Sequence, residues 1–175
     1  MDHLARALEL AENGVGLASP NPMVGAVVVR NGQVVGSGFH TYSGVKHAEI
    51  LALEEAGDLA RGATLYVSLE PCSHHGRTAP CSEAVVSAGI SKLVYPMDDP
   101  NPLVSGKGVE QLRNAGVEVV MDSRHTAAAK KLNEPFVHFM RTGRPFVTLK
   151  SAVTLDGKIA APFLQMLHYL YNQFL

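Results

Sequence analysis

The sequence predicts a three-layer α/β/α domain, a sheet with helices on both faces. Three observations carry that expectation. From residue 47 onward, segments of helical periodicity alternate with short apolar runs of strand length. Upstream, two apolar runs flank Asn31-Gly32, a strong hairpin signal that adds two more strands. The length, 175 residues, suits one domain of ordinary size with a fragment of another.

In chain order, "MDHLARALELAENG" opens with a helix: Leu4, Ala7, Leu8 and Ala11 recur at helical spacing, and Asp2 can cap the first turn. This helix is expected to end near Asn13-Gly14. The hairpin follows, with strands at Val24–Val29 and Val34–Phe39. "HAEILALEEAG" reads as an amphipathic helix with Ala48, Leu51, Ala52 and Ala56 on one face and Gly57 at its end. "ATLYVSLEPC" is a buried strand from Ala63 to Leu69, stopped by Pro71. "APCSEAVVSAG" is a short helix with Pro80 in its first turn and Gly89 as its C-cap. "SKLVYPM" is a strand, "GVEQLRNAG" a helix and "VEVVM" a strand. A longer helix is expected over Thr126 to Arg141. In open sheets of this kind ligands gather near the carboxyl ends of strands, where loops meet helix N-termini. His47, Cys72 and Cys81 all fall at such places.

Composition narrows the function classes. Apolar residues make up 46% of the chain, enough for a real core. Lysine plus arginine total 15 against 16 acidic residues, so no global field draws the protein to nucleic acid or to a membrane. The first residues lack a basic leader followed by an apolar core, and a cytoplasmic location is the expectation. Reduced thiols follow from that compartment, which disfavours a disulfide.

Both cysteines lie in "LEPCSHHGRTAPC", downstream of "HAE". One imidazole and two thiols, from His47, Cys72 and Cys81, match a catalytic zinc site with one coordination position left for water. Two thiolates and a neutral imidazole bring charge −2 to a +2 ion, and a helix N-terminus favours the Cys81 thiolate. A structural site would need a fourth ligand, for which His74 and His75 are the candidates. Glu49 cannot easily share the helix face of His47 two residues away. In the first turn, however, both can lean over the helix entrance, where a carboxylate can move the proton of a bound water. Zinc deaminases show this order as H-x-E followed by P-C-x-x-C. "HAE" and "PC" match, but eight residues, "SHHGRTAP", separate the cysteines here. Read blandly, the same letters are a solvated helix face and a buried cysteine.

The segments "SPNPMVGAVVV", "GFH", "HAE", "LYVSLEPCSHHGRTAPC" and "DPNPLVSGKG" together resemble the deaminase domain of the bifunctional riboflavin-biosynthesis deaminase/reductase family. The resemblance covers residues 1 to about 161, and the long cysteine insert with its His-Gly-Arg core is typical of this branch. It implies a cytidine-deaminase-like fold with a mixed five-stranded sheet. It implies hydrolytic deamination of 2,5-diamino-6-(5-phosphoribosylamino)pyrimidin-4(3H)-one to 5-amino-6-(5-phosphoribosylamino)uracil and ammonia. Carried over by motif, His47, Cys72 and Cys81 hold one Zn2+ and Glu49 shuttles the proton. Asn21, His40, Asp99 and Asn101 resemble substrate-binding residues, and Arg77 stands where the family often has lysine to meet the ribose phosphate. The resemblance also implies a tendency to form homo-oligomers. Competing readings are a deaminase of bases or nucleosides and an inactive scaffold held by structural zinc.

Domain organisation is expected to run as residues 1–143 for the deaminase, 144–161 for a remnant of the first reductase strand, and 162–175 for a divergent apolar tail. "RPFVTLKSAVTLDGKIA" resembles that reductase strand, with Val153 where a full-length member touches NADPH. "PFLQMLHYLYNQFL" does not resemble the family and is too short to cross a bilayer as a helix. A reductase truncated this early is expected to perform no NADPH-dependent reduction.

Overall fold

The structure is a computed structural model and describes residues 2–74, 78–102, 104–151 and 156–158. Asp2 starts the first helix, α1 (His3–Glu12), by accepting hydrogen bonds from the N–H groups of Leu4 and Ala5. Strands β1 (Gly25–Arg30) and β2 (Gln33–Phe39) form the expected hairpin. Asn31 and Gly32 both have positive φ, 51° and 77°, as a type I′ turn requires. Helix α2 (Ala48–Ala56) leads through a short 3-10 turn to strand β3 (Thr64–Val67). Then come α3 (Cys81–Ser87), β4 (Lys92–Tyr95), α4 (Lys107–Asn114), β5 (Glu118–Met121), α5 (Thr126–Leu132) and α6 (Glu134–Thr142).

The sheet has the order β2-β1-β3-β4-β5. β1 pairs antiparallel with β2 and β3, while β3, β4 and β5 are parallel, so the sheet is mixed and five-stranded as expected. Side chains alternate between two cores. Ala26, Val28, Leu65, Val67, Leu93 and Tyr95 point to a layer that includes α2, α3 and α4. Val27, Val29 and Val94 meet Leu4 and Ala7 of α1 on the opposite face. Leu8 of α1 joins Ala129 of α5 and Val137 of α6 against Leu69 and Met97, which places the last two helices beside α1.

Three local expectations change. The helix expected over 126–141 is two helices, broken at Asn133 (φ −104°, ψ 26°), with Pro135 in the first turn of α6. Proline has no N–H to continue the α5 hydrogen-bond ladder and disfavours the helical conformation just before it. Pro80 is the N-cap of α3 rather than a first-turn residue, so α3 starts at Cys81 itself. In α2 the buried aliphatic positions are Ala48, Ala52, Leu53 and Ala56, and Leu51 is only half-buried. That helix packs against both β2 and α3, so it is covered on two sides rather than one.

Glycines set the approach of α2 to the sheet. A Cβ on Gly36 would lie 2.1 Å from the Ala52 carbonyl oxygen, and one on Gly38 would lie 2.7 Å from that of Ala48. The backbones of β2 and α2 are therefore in direct contact. Beyond Gly143, residues 145–150 adopt neither helix nor strand, and Val147 and Leu149 are exposed. Among the described residues no helix is long and apolar enough to cross a membrane.

Candidate active site and metal centre

Two helix starts and the segment beyond β3 deliver the chemistry to one corner. His47 is the N-cap of α2 in extended conformation (φ −75°, ψ 158°), and Glu49 follows in the first turn. Beyond β3 the chain runs through Ser68, Leu69, Glu70 and Pro71 to Cys72. Cys81 is the first residue of α3. Ser82 fastens Cys72 to this helix: its N–H and its hydroxyl both donate to the Cys72 carbonyl, each at 3.1 Å.

Nδ1 of His47 lies 3.2 Å from Sγ of Cys81 and 3.5 Å from Sγ of Cys72, and the three donor atoms fall within 4.8 Å of one another. A tetrahedral ion with bonds of about 2.3 Å to sulfur and about 2.1 Å to nitrogen would hold such a pair about 3.5 Å apart. The donor set and its spacing thus fit zinc. Neither His74, which lines the same cavity, nor any other described side chain joins these three as a ligand cluster.

The protons in this corner are unevenly shared. Cys72 is drawn down to about 4, first by the hydrogen bond from the Cys81 thiol, then by His47 and the Cys81 N–H. Cys81 is pushed up by the hydrogen bond it gives Cys72 and by burial. The Cys72 hydrogen bond raises His47. Glu49, 3% exposed, is pushed up to about 7 by burial and by the nearby Cys72 charge. A corner that concentrates negative charge and displaceable protons is chemically ready to exchange protons for a cation.

A cavity of about 310 Å3 opens over this corner. His47, Glu49, Glu70 and Cys72 line it together with Asn21, His40, Asp99 and Asn101, with Phe136 and Met140 of α6 among the apolar walls. Asn21 Nδ2 lies 2.9 Å from Nε2 of His40, whose Nδ1 lies 2.9 Å from the Lys46 carbonyl oxygen. A carbonyl only accepts, so Nδ1 of a neutral His40 carries the proton and Nε2 accepts from the Asn21 amide. The His40 ring also stands edge-on to that of His47, with centroids 5.2 Å apart. Asp99 accepts from the Asn101 N–H at 2.8 Å and is pushed up to about 6, chiefly by burial, with the Glu70 charge adding to the shift. The cavity thus gathers Asn21, His40, His47, Glu49, Cys72, Asp99 and Asn101, with Cys81 buried behind them. Arg77 and Val153 lie outside the described residues, as does the tail 162–175.

Buried polar residues that escaped the sequence reading include Ser82, which holds Cys72, and also Asn133 and Glu70. Asn133 pairs with the backbone of Met23, donating from Nδ2 to the carbonyl and accepting from the N–H, and so holds the loop that carries Asn21. Its signal was Pro135, which breaks a helix just where Asn133 sits. Glu70 accepts four backbone N–H groups. Its signal was a charge between a buried strand and Pro71-Cys72.

A family model described as the cytidine and deoxycytidylate deaminase zinc-binding region matches residues 1–97. The riboflavin biosynthesis protein RibD of Synechocystis sp. is 54% identical over 158 residues, which are 90% of this chain and 43% of that protein. A solved structure of Acinetobacter baumannii RibD is 51% identical with a TM-score of 0.83, covering 89% of this chain and 44% of its own. The structure of a diaminohydroxyphosphoribosylaminopyrimidine deaminase/5-amino-6-(5-phosphoribosylamino)uracil reductase from Thermotoga maritima is 51% identical with a TM-score of 0.82, covering 90% and 45%. The chain spans less than half the length of each of these three relatives. Since the family model takes in more than half of its residues, the chain belongs to the cytidine and deoxycytidylate deaminase zinc-binding family.

Proposed function

We propose that this protein hydrolytically deaminates 2,5-diamino-6-(5-phosphoribosylamino)pyrimidin-4(3H)-one to 5-amino-6-(5-phosphoribosylamino)uracil, releasing ammonia in riboflavin biosynthesis. The observation that carries the reading is the convergence of His47, Cys72 and Cys81 beside the buried Glu49 at the floor of one cavity. The substrate class is supported by the names of the relatives above 50% identity.

His47, Cys72 and Cys81 are the residues that would hold zinc. Zinc held there supplies Lewis acidity that makes a water molecule nucleophilic near neutral pH. Glu49 takes one proton of that water to the ring nitrogen and carries the second to the departing amine, which leaves as ammonia. One water enters, the C–N bond breaks, a carbonyl replaces the amine, and ammonia leaves. Asn21 presents its side-chain oxygen to the pyrimidine, because its Nδ2 is committed to His40. Asp99 and Asn101 face the ribosyl part, and Arg77 answers the phosphate. Phe136 and Met140 keep solvent from the ring. In this reading residues 1–143 are the deaminase unit, closed by Gly143 at the end of α6, and the enzyme works in the cytoplasm.

The deciding experiment measures metal content and ammonia release on purified protein, with the phosphoribosylaminopyrimidine compared against cytidine, dCMP and guanine. About one zinc per chain and turnover of the phosphoribosylaminopyrimidine are expected. Turnover confined to cytidine, dCMP or guanine would assign a base or nucleoside deaminase instead. A zinc-loaded, folded chain inactive on all four would assign a scaffold.

A further inference from the structure

Glu70 lies two residues before Cys72 and is only 3% exposed, yet it takes no part in the chemistry described above. Its carboxylate is surrounded by backbone donors. Oε2 accepts from the N–H groups of Asp99 and Gly106, each at 3.0 Å. Oε1 accepts from Gly108 at 3.1 Å and Val109 at 3.4 Å. Burying a carboxylate is costly unless its lone pairs are satisfied, and hydrogen bonds to an ionised acceptor are the strong ones.

The four donors belong to two functional pieces of chain. Asp99 and Gly106 bracket the segment that carries Asp99 and Asn101 into the cavity. Gly108 and Val109 are in the first turn of α4, where N–H groups have no partner within the helix. The contact is close: a Cβ on Gly108 would lie 1.9 Å from the Pro71 carbonyl oxygen. One side chain, two residues before Cys72, therefore ties the chain beside the metal corner to the segment that carries Asp99 and Asn101 and to the start of α4.

We propose that Glu70 is a positioning residue that fixes the Asp99–Asn101 wall relative to the metal corner and so sets how tightly the ribosyl part of the substrate is held. The binding half of this statement rests on the function proposed above. The positioning half rests on the hydrogen bonds alone.

Amide hydrogen exchange tests the positioning half without any substrate. In the unaltered protein the Gly108 and Val109 amides, which occupy a first turn that ordinarily exchanges fast, are expected to be protected, as are those of Asp99 and Gly106. Rapid exchange at these four would overturn the proposal even if no variant can be made. Glu70→Gln keeps one accepting oxygen and sets an NH2 group against two of the donors. At least two of the four amides are expected to exchange about tenfold faster, with zinc content unchanged. KM for the phosphoribosylaminopyrimidine is expected to rise about tenfold while kcat stays within about threefold. Unchanged exchange, or loss of zinc with a fall in kcat at constant KM, would show Glu70 to serve only the fold or the metal. If the unaltered protein does not turn over this pyrimidine, the functional reading fails and the exchange data still decide the positioning.

Discussion

His47 and Cys81 reach the metal corner from helix N-termini and Cys72 from the short segment beyond β3 that Ser82 ties to α3, whereas Asn21, Asp99 and Asn101 reach the cavity from irregular loops. For His47 and Cys81 the regular backbone does the aiming. The N-cap of α2 and the first residue of α3 are fixed once their helices pack, and Ser82 holds Cys72 against α3. Along the loops a second set of buried polar side chains does it: Asn133 for the Asn21 loop, His40 for Asn21 itself and Glu70 for the Asp99–Asn101 segment. Donor atoms at helix ends need few helpers. The cavity residues on loops depend on these tethers, each a buried polar group that must be fully satisfied.

The largest effects are expected where the metal corner is damaged. Cys72→Ala should abolish stoichiometric zinc binding and leave ammonia release at background, read by metal analysis and assay on the same sample. Retention of full metal and rate would dissolve the corner as described. Glu49→Gln separates holding from reacting: zinc content should stay at the wild-type level while kcat falls by about 10²–10⁴-fold.

Smaller effects test the tethers. Asn133→Ala leaves the Met23 N–H and carbonyl without their partner, at a cost of about 1–3 kcal/mol in unfolding free energy. KM is expected to rise more than kcat falls, because the Asn21 loop loosens while the metal corner stands. An equal loss of zinc would show that the two regions are not separately built.

The smallest effect concerns charge. Asp99 has its folded pKa raised from 3.8 to about 6. Its contribution to stability is therefore full below about pH 4 and is lost as pH rises through about 6. Asp99→Asn keeps the acceptor for the Asn101 N–H but cannot ionise. The variant should match wild type near pH 4 and exceed it by about 2–3 kcal/mol above pH 7, measured by denaturant unfolding across pH. Parallel pH curves would mean that Asp99 is not strained by burial.

The same division explains what could be read from the letters. Strands β1 to β5 and helices α1 to α4 announce themselves by apolar period, by Asn31-Gly32 and by Asp2, signals confined to short windows. His47, Glu49, Cys72 and Cys81 form an ordered pattern of types with few alternative uses. The tethers have no such signature. Glu70 lies 29 residues from Asp99 and 38 from Gly108, so its role exists only after β3, β4 and α4 assemble. Asn133 reaches Met23 across 110 residues. A break in the last helix was legible at Pro135, but the helical period on either side of it masked the signal. His40 was legible as a cavity residue, while its hold on Asn21 depends on a ring orientation that the Lys46 carbonyl dictates.

Gly36 and Gly38 carry a further consequence. At these two positions no strand side chain separates the β2 backbone from the carbonyls of Ala48 and Ala52. The imidazole and carboxyl group at the mouth of α2 thus inherit the stiffness of main chain resting on main chain. A single methyl group on that strand would act as a shim that lifts α2 and widens the gap an ion must bridge.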